Sequence, residues 1–347
     1  MTKVLVVATS RKTRGGITSV IKAHETGKQW KEFHCKWIET HRDSNKIIKL
    51  YYAIKGFITF LILLPFYDII HFHVSFKGSL TRKYYLNKIA RFFNKKTIIH
   101  FHPPGPFVLF DKANYNKYNN LFNNTNLVIV LSESWATLIK NEFGENINTK
   151  VLYNPCPIVN NIKTDDDKSN NRYILFAGTL IERKGYECLI KAFSNIAKSF
   201  PDWKLILAGN GEINKAKAII NKTNVSQQII LTGWLDKKEM YKLFQNASIY
   251  CLASSGEGFP MVILEAWAFG VPVITTLAGG LPDIIINETN ALTFNYNNIE
   301  QLQKQLLKLM QNKELRIKLS KEGIRLSKEV FNKDVINKEL GNIYKNI

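Results

Sequence analysis

The sequence predicts an α/β protein built from two doubly wound domains. Strand-like and helix-like segments alternate through residues 1–160, a polar stretch without periodicity fills residues 160–171, and the alternation then resumes. At 347 residues the chain is long enough for two substantial cores.

In the first half, short apolar runs at residues 3–8, 68–73, 96–101 and 127–131 read as strands. Helical spacing covers residues 16–26, 45–64, 79–94 and 134–143. In the second half the strands fall at residues 173–177, 204–208, 228–232, 248–253 and 271–275, with helices between them. Residues 300–347 are helical and Lys-rich. The expected domains are residues 1–160 and 161–347, facing across a cleft, with the last helix able to cross back to the first domain.

Composition narrows the function classes. Apolar residues make up 45% and charged residues 22%, which is ordinary for a globular protein. Cys35, Cys156, Cys188 and Cys251 form no C-x-x-C pair, so a reducing cytoplasm is expected and structural disulfides or zinc are not. The first ten residues read as a strand and not as a signal peptide. The most hydrophobic segment, residues 56–67, is closed by Pro65, is too short to span a bilayer, and is expected as a buried helix, with membrane-surface contact as the alternative. Net charge is +20 and uneven: residues 1–160 carry 23 Lys and Arg against 9 Asp and Glu. That basic half suggests an anionic partner, with a membrane surface or phosphorylated lipid favoured. The basic residues are dispersed and no nucleic-acid motif appears, so nucleic acid is excluded. Residues 79–96 alternate aromatic and basic residues at helical spacing. They read equally as a core helix with a solvated basic face or as a contact for an anionic acceptor or membrane.

The richest stretch is residues 254–270, SSGEGFPMVILEAWAFG. An apolar strand precedes it and an apolar helix ends it at Gly270, so Glu257 falls in a loop and Glu265 about one turn into the helix. In a parallel sheet this junction lies at the carboxyl edge, where ligands bind. Backbone N–H groups at a helix start suit an anion, and two carboxylates suit hydroxyls. Gly-Phe-Pro, the helix, then Val271-Pro272-Val273-Ile274 and Ala278-Gly279-Gly280-Leu281-Pro282-Asp283 make one long pattern. It resembles the E-x7-E region of retaining glycosyltransferases of family 4, which have the GT-B fold.

Further residues extend the resemblance over residues 173–283. In ILFAGTLIERKG, Lys184 matches the family Lys of a K-G pair that contacts the donor diphosphate. The family commonly has Arg directly after the glycine, where this chain has Thr179, and Arg183 is the candidate replacement. The stretches LILAGNGE and ILTGWLDKKEMYKLFQNA also fit, placing Trp234 and Leu235 toward the nucleotide base. Carried over by position, Glu265 would bind the ribose diol and Glu257 the donor-sugar hydroxyls. The backbone of Gly258, Phe259, Pro260 and Met261 would contact sugar and phosphate.

In the first domain, Gly15 and Gly16 stand between the first strand and helix. They do not form a dinucleotide G-x-G-x-x-G fingerprint but let the backbone approach a ligand. The resemblance implies that this loop covers the donor diphosphate. Two His-x-His pairs, His71/His73 and His100/His102, end two strands. Since two strand ends need not converge and no carboxylate or thiolate accompanies them, no metal site is expected. His102 matches the family's strand-end histidine beside the reacting sugar. Asp165-Asp166-Asp167 contains a D-x-D pattern but lies in the polar linker, so it reads as solvated charge.

The resemblance therefore implies an acceptor-binding first domain and a donor-binding second domain. The activity would be metal-independent, retaining transfer from a nucleotide-diphosphate sugar, with no cofactor. The catalytic group would be His102, Glu257 and Lys184. The acceptor would be a saccharide or lipid-linked saccharide in cell-surface polysaccharide synthesis, handled in the cytoplasm at the inner face of the membrane. A nucleotide-sugar epimerase of the same fold, or a non-catalytic scaffold, remains the alternative.

Overall fold

The computed structural model describes residues 2–163 and 172–347. Asp165-Asp166-Asp167 lies outside them. The chain divides into two units, the first running to Pro155 and adding Glu257–Phe259 and Lys333–Ile347. The second comprises Cys156–Gly256 and Pro260–Asn332.

Continuous apolar runs with both faces buried favour parallel strands joined by helices. In the first unit these are β1 (Val4–Ala8), β2 (Lys36–Glu39), β3 (Ile69–Val74), β4 (Lys96–Phe101), β5 (Leu127–Val130) and β6 (Thr149–Val151). They form one parallel sheet in the order β2-β1-β3-β4-β5-β6. Its helices are α1 (Gly16–Glu25), α2 (Lys28–Glu32), α3 (Lys46–Leu63), α4 (Gly78–Phe92), α5 (Tyr115–Asn123) and α6 (Glu133–Phe143).

The second unit holds β7 (Arg172–Ala177), β8 (Trp203–Ala208), β9 (Ile229–Gly233), β10 (Ile249–Leu252), β11 (Val273–Thr275) and β12 (Leu292–Thr293). Their parallel order is β12-β11-β10-β7-β8-β9. The helices are α7 (Tyr186–Ile196), α8 (Ile213–Asn221), α9 (Lys237–Asn246), α10 (Met261–Ala268), α11 (Ile299–Gln311) and α12 (Lys313–Glu329). Phe176, Leu205 and Cys251 of the sheet pack with Leu189 and Phe193 of α7 in its core. The last helix, α13 (Lys333–Asn346), returns to the first unit, where Ile336 and Leu340 join Val6, Ile98 and Ile129 in the core.

One expectation is corrected. Residues 56–67 are not a buried helix: they are the C-terminal part of α3 and the turn after it, and α3 buries only Gly56 and Phe60. The helix rests on β2 along that single stripe. A Cβ at Gly56 would lie 2.7 Å from the Glu39 carbonyl oxygen, which is why the residue is glycine. Hydropathy shows that a segment avoids water but not what it packs against.

Candidate active site

The second sheet reverses its strand order at β7, which lies between β10 and β8. The loops leaving β7 and β10 therefore flank a topological switch point, the place where doubly wound sheets bind ligands. After β7 the chain passes Gly178 and a single 3-10 turn, Glu182–Lys184, to Gly185. Gly185 has φ 66, and a Cβ there would meet the Ala253 carbonyl oxygen at 2.0 Å. Only glycine lets the Lys184 loop come this close to the end of β10. The contact is fixed by Ser255 N donating to Arg183 O at 2.8 Å.

The Arg183 guanidinium donates to the Gly256 carbonyl oxygen. Arg183 thus ties the two loops together, and Lys184 lies half-buried beside it. The loop after β8 joins the same edge: Leu180 N donates to Asn210 O at 2.7 Å and Glu212 N to Leu180 O at 2.8 Å. Glu212 also accepts from the Tyr186 hydroxyl at 2.8 Å, so the G-N-G-E acid braces the loop. At the end of β9, Trp234 is 47% exposed and Leu235 partly buried.

Glu265 sits in α10, whose first turn carries no acidic residue. Burial pushes its carboxyl up to about 7, opposed by the positive charge of Lys237. A cavity of about 530 Å³ opens beside this edge, lined by Ser254, Ser255, Thr276, Leu277, Phe294 and Tyr296 among others. It shares the loop after β10 but includes neither Lys184 nor Glu265. Nothing in the sequence reading pointed to its Phe294 and Tyr296 wall.

In the first unit the strand order turns at β1 and β3. The loop after β1 carries Gly15 and Gly16 at this edge. Gly15 caps α1 with φ 125, a conformation costly for any side chain. Glu257 is 6% exposed, and the Glu257–Phe259 segment is held by Trp135 Nε1 donating to Gly258 O at 2.9 Å. Asn154 Nδ2 donates to Phe259 O at 3.0 Å. Pro260 and Met261 begin α10 in the second unit.

The histidine pairs do converge, contrary to expectation. β3 and β4 are neighbours in register with His73 opposite His100, so the side chains of both pairs share one face. His71 stacks on His73 and His100, and His100 on His102, with centroids 4.2 to 5.4 Å apart. His24 of α1 joins them, 6.3 Å from His100, a partner that sequence spacing did not reveal. His71 Nδ1 meets the Tyr344 hydroxyl at 2.6 Å, and His73 Nδ1 meets His102 Nε2 at 2.9 Å. Burial holds His24 down to about 4 and His102 to about 3, so both stay neutral at physiological pH.

His71, His73 and His100 each place a nitrogen within 4.8 Å of the others. Among the described residues, His71 Nε2, His73 Nε2 and both His100 nitrogens have no hydrogen-bond partner. A tetrahedral zinc with bonds of about 2.0–2.1 Å needs its nitrogens about 3.3 Å apart. The cluster would have to contract, and it brings no anionic ligand to offset a buried dication.

Residues 160–326 match the family described as Glycosyl transferases group 1. An uncharacterized glycosyltransferase of Haemophilus influenzae is 30% identical over 204 residues, 58% of this chain and 56% of that protein. Another, from Methanocaldococcus jannaschii, is 29% identical over 268 residues, 76% of this chain and 71% of its own. The solved structure of Anabaena HepE in complex with UDP-glucose superposes with a TM-score of 0.81 at 18% identity, covering 100% of both chains. The fold is thus that of GT-B glycosyltransferases, and the group 1 family model covers just under half of the chain.

Proposed function

From this group 1 glycosyl transferase domain in residues 160–326, we infer that the protein is a metal-independent, retaining glycosyltransferase of family 4. It moves a sugar from a nucleoside-diphosphate sugar to a hydroxyl acceptor. The observation that carries the reading is the placing of Lys184 and Glu265 on the two loops and helix that leave the β7/β10 switch point. The UDP-glucose bound by HepE favours a uridine diphosphate donor. Glu265 accepts the ribose hydroxyls, Trp234 and Leu235 face the base, and Lys184 neutralises the diphosphate. Glu257 accepts donor-sugar hydroxyls.

Chemically, the bond from the anomeric carbon to the phosphate oxygen breaks as the acceptor oxygen bonds to the same face. The acceptor proton passes to the departing phosphate oxygen, so no side-chain base is needed. A neutral His102 fits this, since it polarises or positions the sugar without taking a proton. The acceptor class we propose is a lipid-linked or growing saccharide of the cell surface, met at the cytoplasmic face of the membrane.

The test incubates the protein with UDP-sugars, with and without lipid-linked acceptors, in EDTA, and follows products by proton NMR. An α-linked product from an α-donor supports the reading. An inverted product contradicts retention, and loss of turnover in EDTA with recovery on adding a divalent cation contradicts metal independence. Release of an epimerised sugar without acceptor assigns the fold to an epimerase instead.

A further inference from the structure

The outer face of α3 is an anomaly for a globular surface. Among the described residues, Lys46–Phe66 is the one helical segment long and apolar enough to cross a membrane, yet only 17% of it is buried. Gly56, Phe60 and, in the following turn, Leu64 pack inward. Opposite them, Ile47 is 79% exposed, Ile62 63% and Phe66 65%, with Leu50, Ile54 and Ile58 more than half exposed between them. A contiguous apolar stripe of this length marks a surface that something covers.

Its charge identifies the occupant. No acidic residue occurs from Ser44 to Tyr67, while Lys46, Lys49 and Lys55 lie exposed along the helix. At its far end the Lys95 ammonium donates to the Pro65 carbonyl oxygen at 3.2 Å, drawing the end of α4 alongside. That end adds Phe92, 81% exposed, and Phe93, among Lys88, Arg91 and Lys96. The result is one apolar surface with a mainly basic rim, Asp43 and Asp68 standing at its two ends. A second copy of the chain laid on it would bring lysine against lysine. An anionic bilayer satisfies both features: acyl chains take the apolar stripe and phosphates the rim.

We propose that α3, with Phe66, Phe92 and Phe93, lies in the headgroup region of an anionic phospholipid membrane and anchors the first unit there by apolar insertion. The helix lies along the surface and does not span, because the Gly56–Phe60–Leu64 stripe stays packed on the protein. This surface takes in the end of residues 79–96, the stretch that the sequence offered as a contact for an anionic acceptor or membrane, and adds to it the apolar face of α3. The proposal deepens the reading of a transferase acting on a lipid-linked acceptor, but vesicle binding is measured without any sugar transfer, so the two fail separately.

The experiment floats the full chain with vesicles of phosphatidylcholine alone or mixed with phosphatidylglycerol, at low salt and at about 0.5 M salt. The wild type should bind the mixed vesicles and keep much of that binding in high salt. Ile58→Asp/Ile62→Asp, both at solvent-facing positions, should lose about tenfold or more in partitioning. Lys88→Gln/Arg91→Gln should lose less, and mainly at low salt. Unchanged melting temperature and nucleotide binding certify the variants as folded. A tryptophan at position 58 should shift its emission to the blue on mixed vesicles only. Ile58→Asp/Ile62→Asp binding like wild type, or wild-type binding abolished by salt, overturns apolar insertion. No vesicle binding, with or without self-association that the double variant removes, overturns the membrane as occupant.

Discussion

Burial pushes the Glu265 carboxyl up to about 7, so near neutrality it exists in both forms. A ribose diol donates hydrogen bonds, and only the carboxylate accepts two of them without giving up a proton. Below about pH 7 a bound nucleotide must first displace that proton. Affinity for UDP should therefore rise with pH, changing by up to about tenfold per pH unit on the acid side and levelling above about 8. Calorimetric titrations across that range check this, and Glu265→Gln should flatten the profile. A slope that persists in the variant assigns the proton elsewhere. Glu257→Ala makes a different prediction: UDP-sugar binding weakens by about 1–3 kcal/mol while UDP alone is unaffected. Equal losses for both ligands would place Glu257 outside the sugar subsite. The sequence already marked both acids and Lys184, because a K-G pair and an acid-loop-acid pattern are local. It could not show that Arg183 is engaged by the Gly256 carbonyl, since a guanidinium serves a phosphate and a carbonyl equally well.

At the scale of elements, β3 and β4 carry an acid-sensitive core. His24, His71, His73, His100 and His102 are all held below the ordinary imidazole value, chiefly by burial. Unfolded, each takes a proton near pH 6.5; folded, none does until the pH is far lower. The unfolded chain thus binds more protons in this window, so stability is full above about pH 6.5 and declines as pH falls below it. His24 alone, about 4 in the fold, contributes on the order of 3 kcal/mol to that loss. Urea melts between about pH 7.5 and about pH 5 should show a steep fall, and His24→Asn should reduce it. A flat profile would mean that the cluster takes up protons in the folded state. The long strands were legible because each is an unbroken apolar run. β2, β6 and β12 were not: Lys36 and Glu39, Thr149 and Lys150, and Thr293 interrupt them, so no apolar run registers, whereas the equally short β5, β10 and β11 lie in unbroken runs. The histidine cluster stayed hidden because strand order, which places β3 beside β4, is a tertiary fact.

For the molecule as a whole, two rounds of alternation and a polar break sufficed to expect two doubly wound units, because parallel sheets need a helix after nearly every strand. The positive excess of residues 1–160 was also visible, but how much of α3 stays exposed was not, since its composition suits a core helix and a membrane contact alike. The central claim is a nucleotide-sugar pocket at the β7/β10 edge, and isothermal calorimetry with UDP tests it most directly. Wild type should bind one UDP per chain. Lys184→Ala should weaken that by about 1.5–3 kcal/mol, the worth of a charge-assisted hydrogen bond. No binding by the folded wild type to UDP or any other nucleoside diphosphate, or full affinity retained in both Lys184→Ala and Glu265→Gln, would contradict the account.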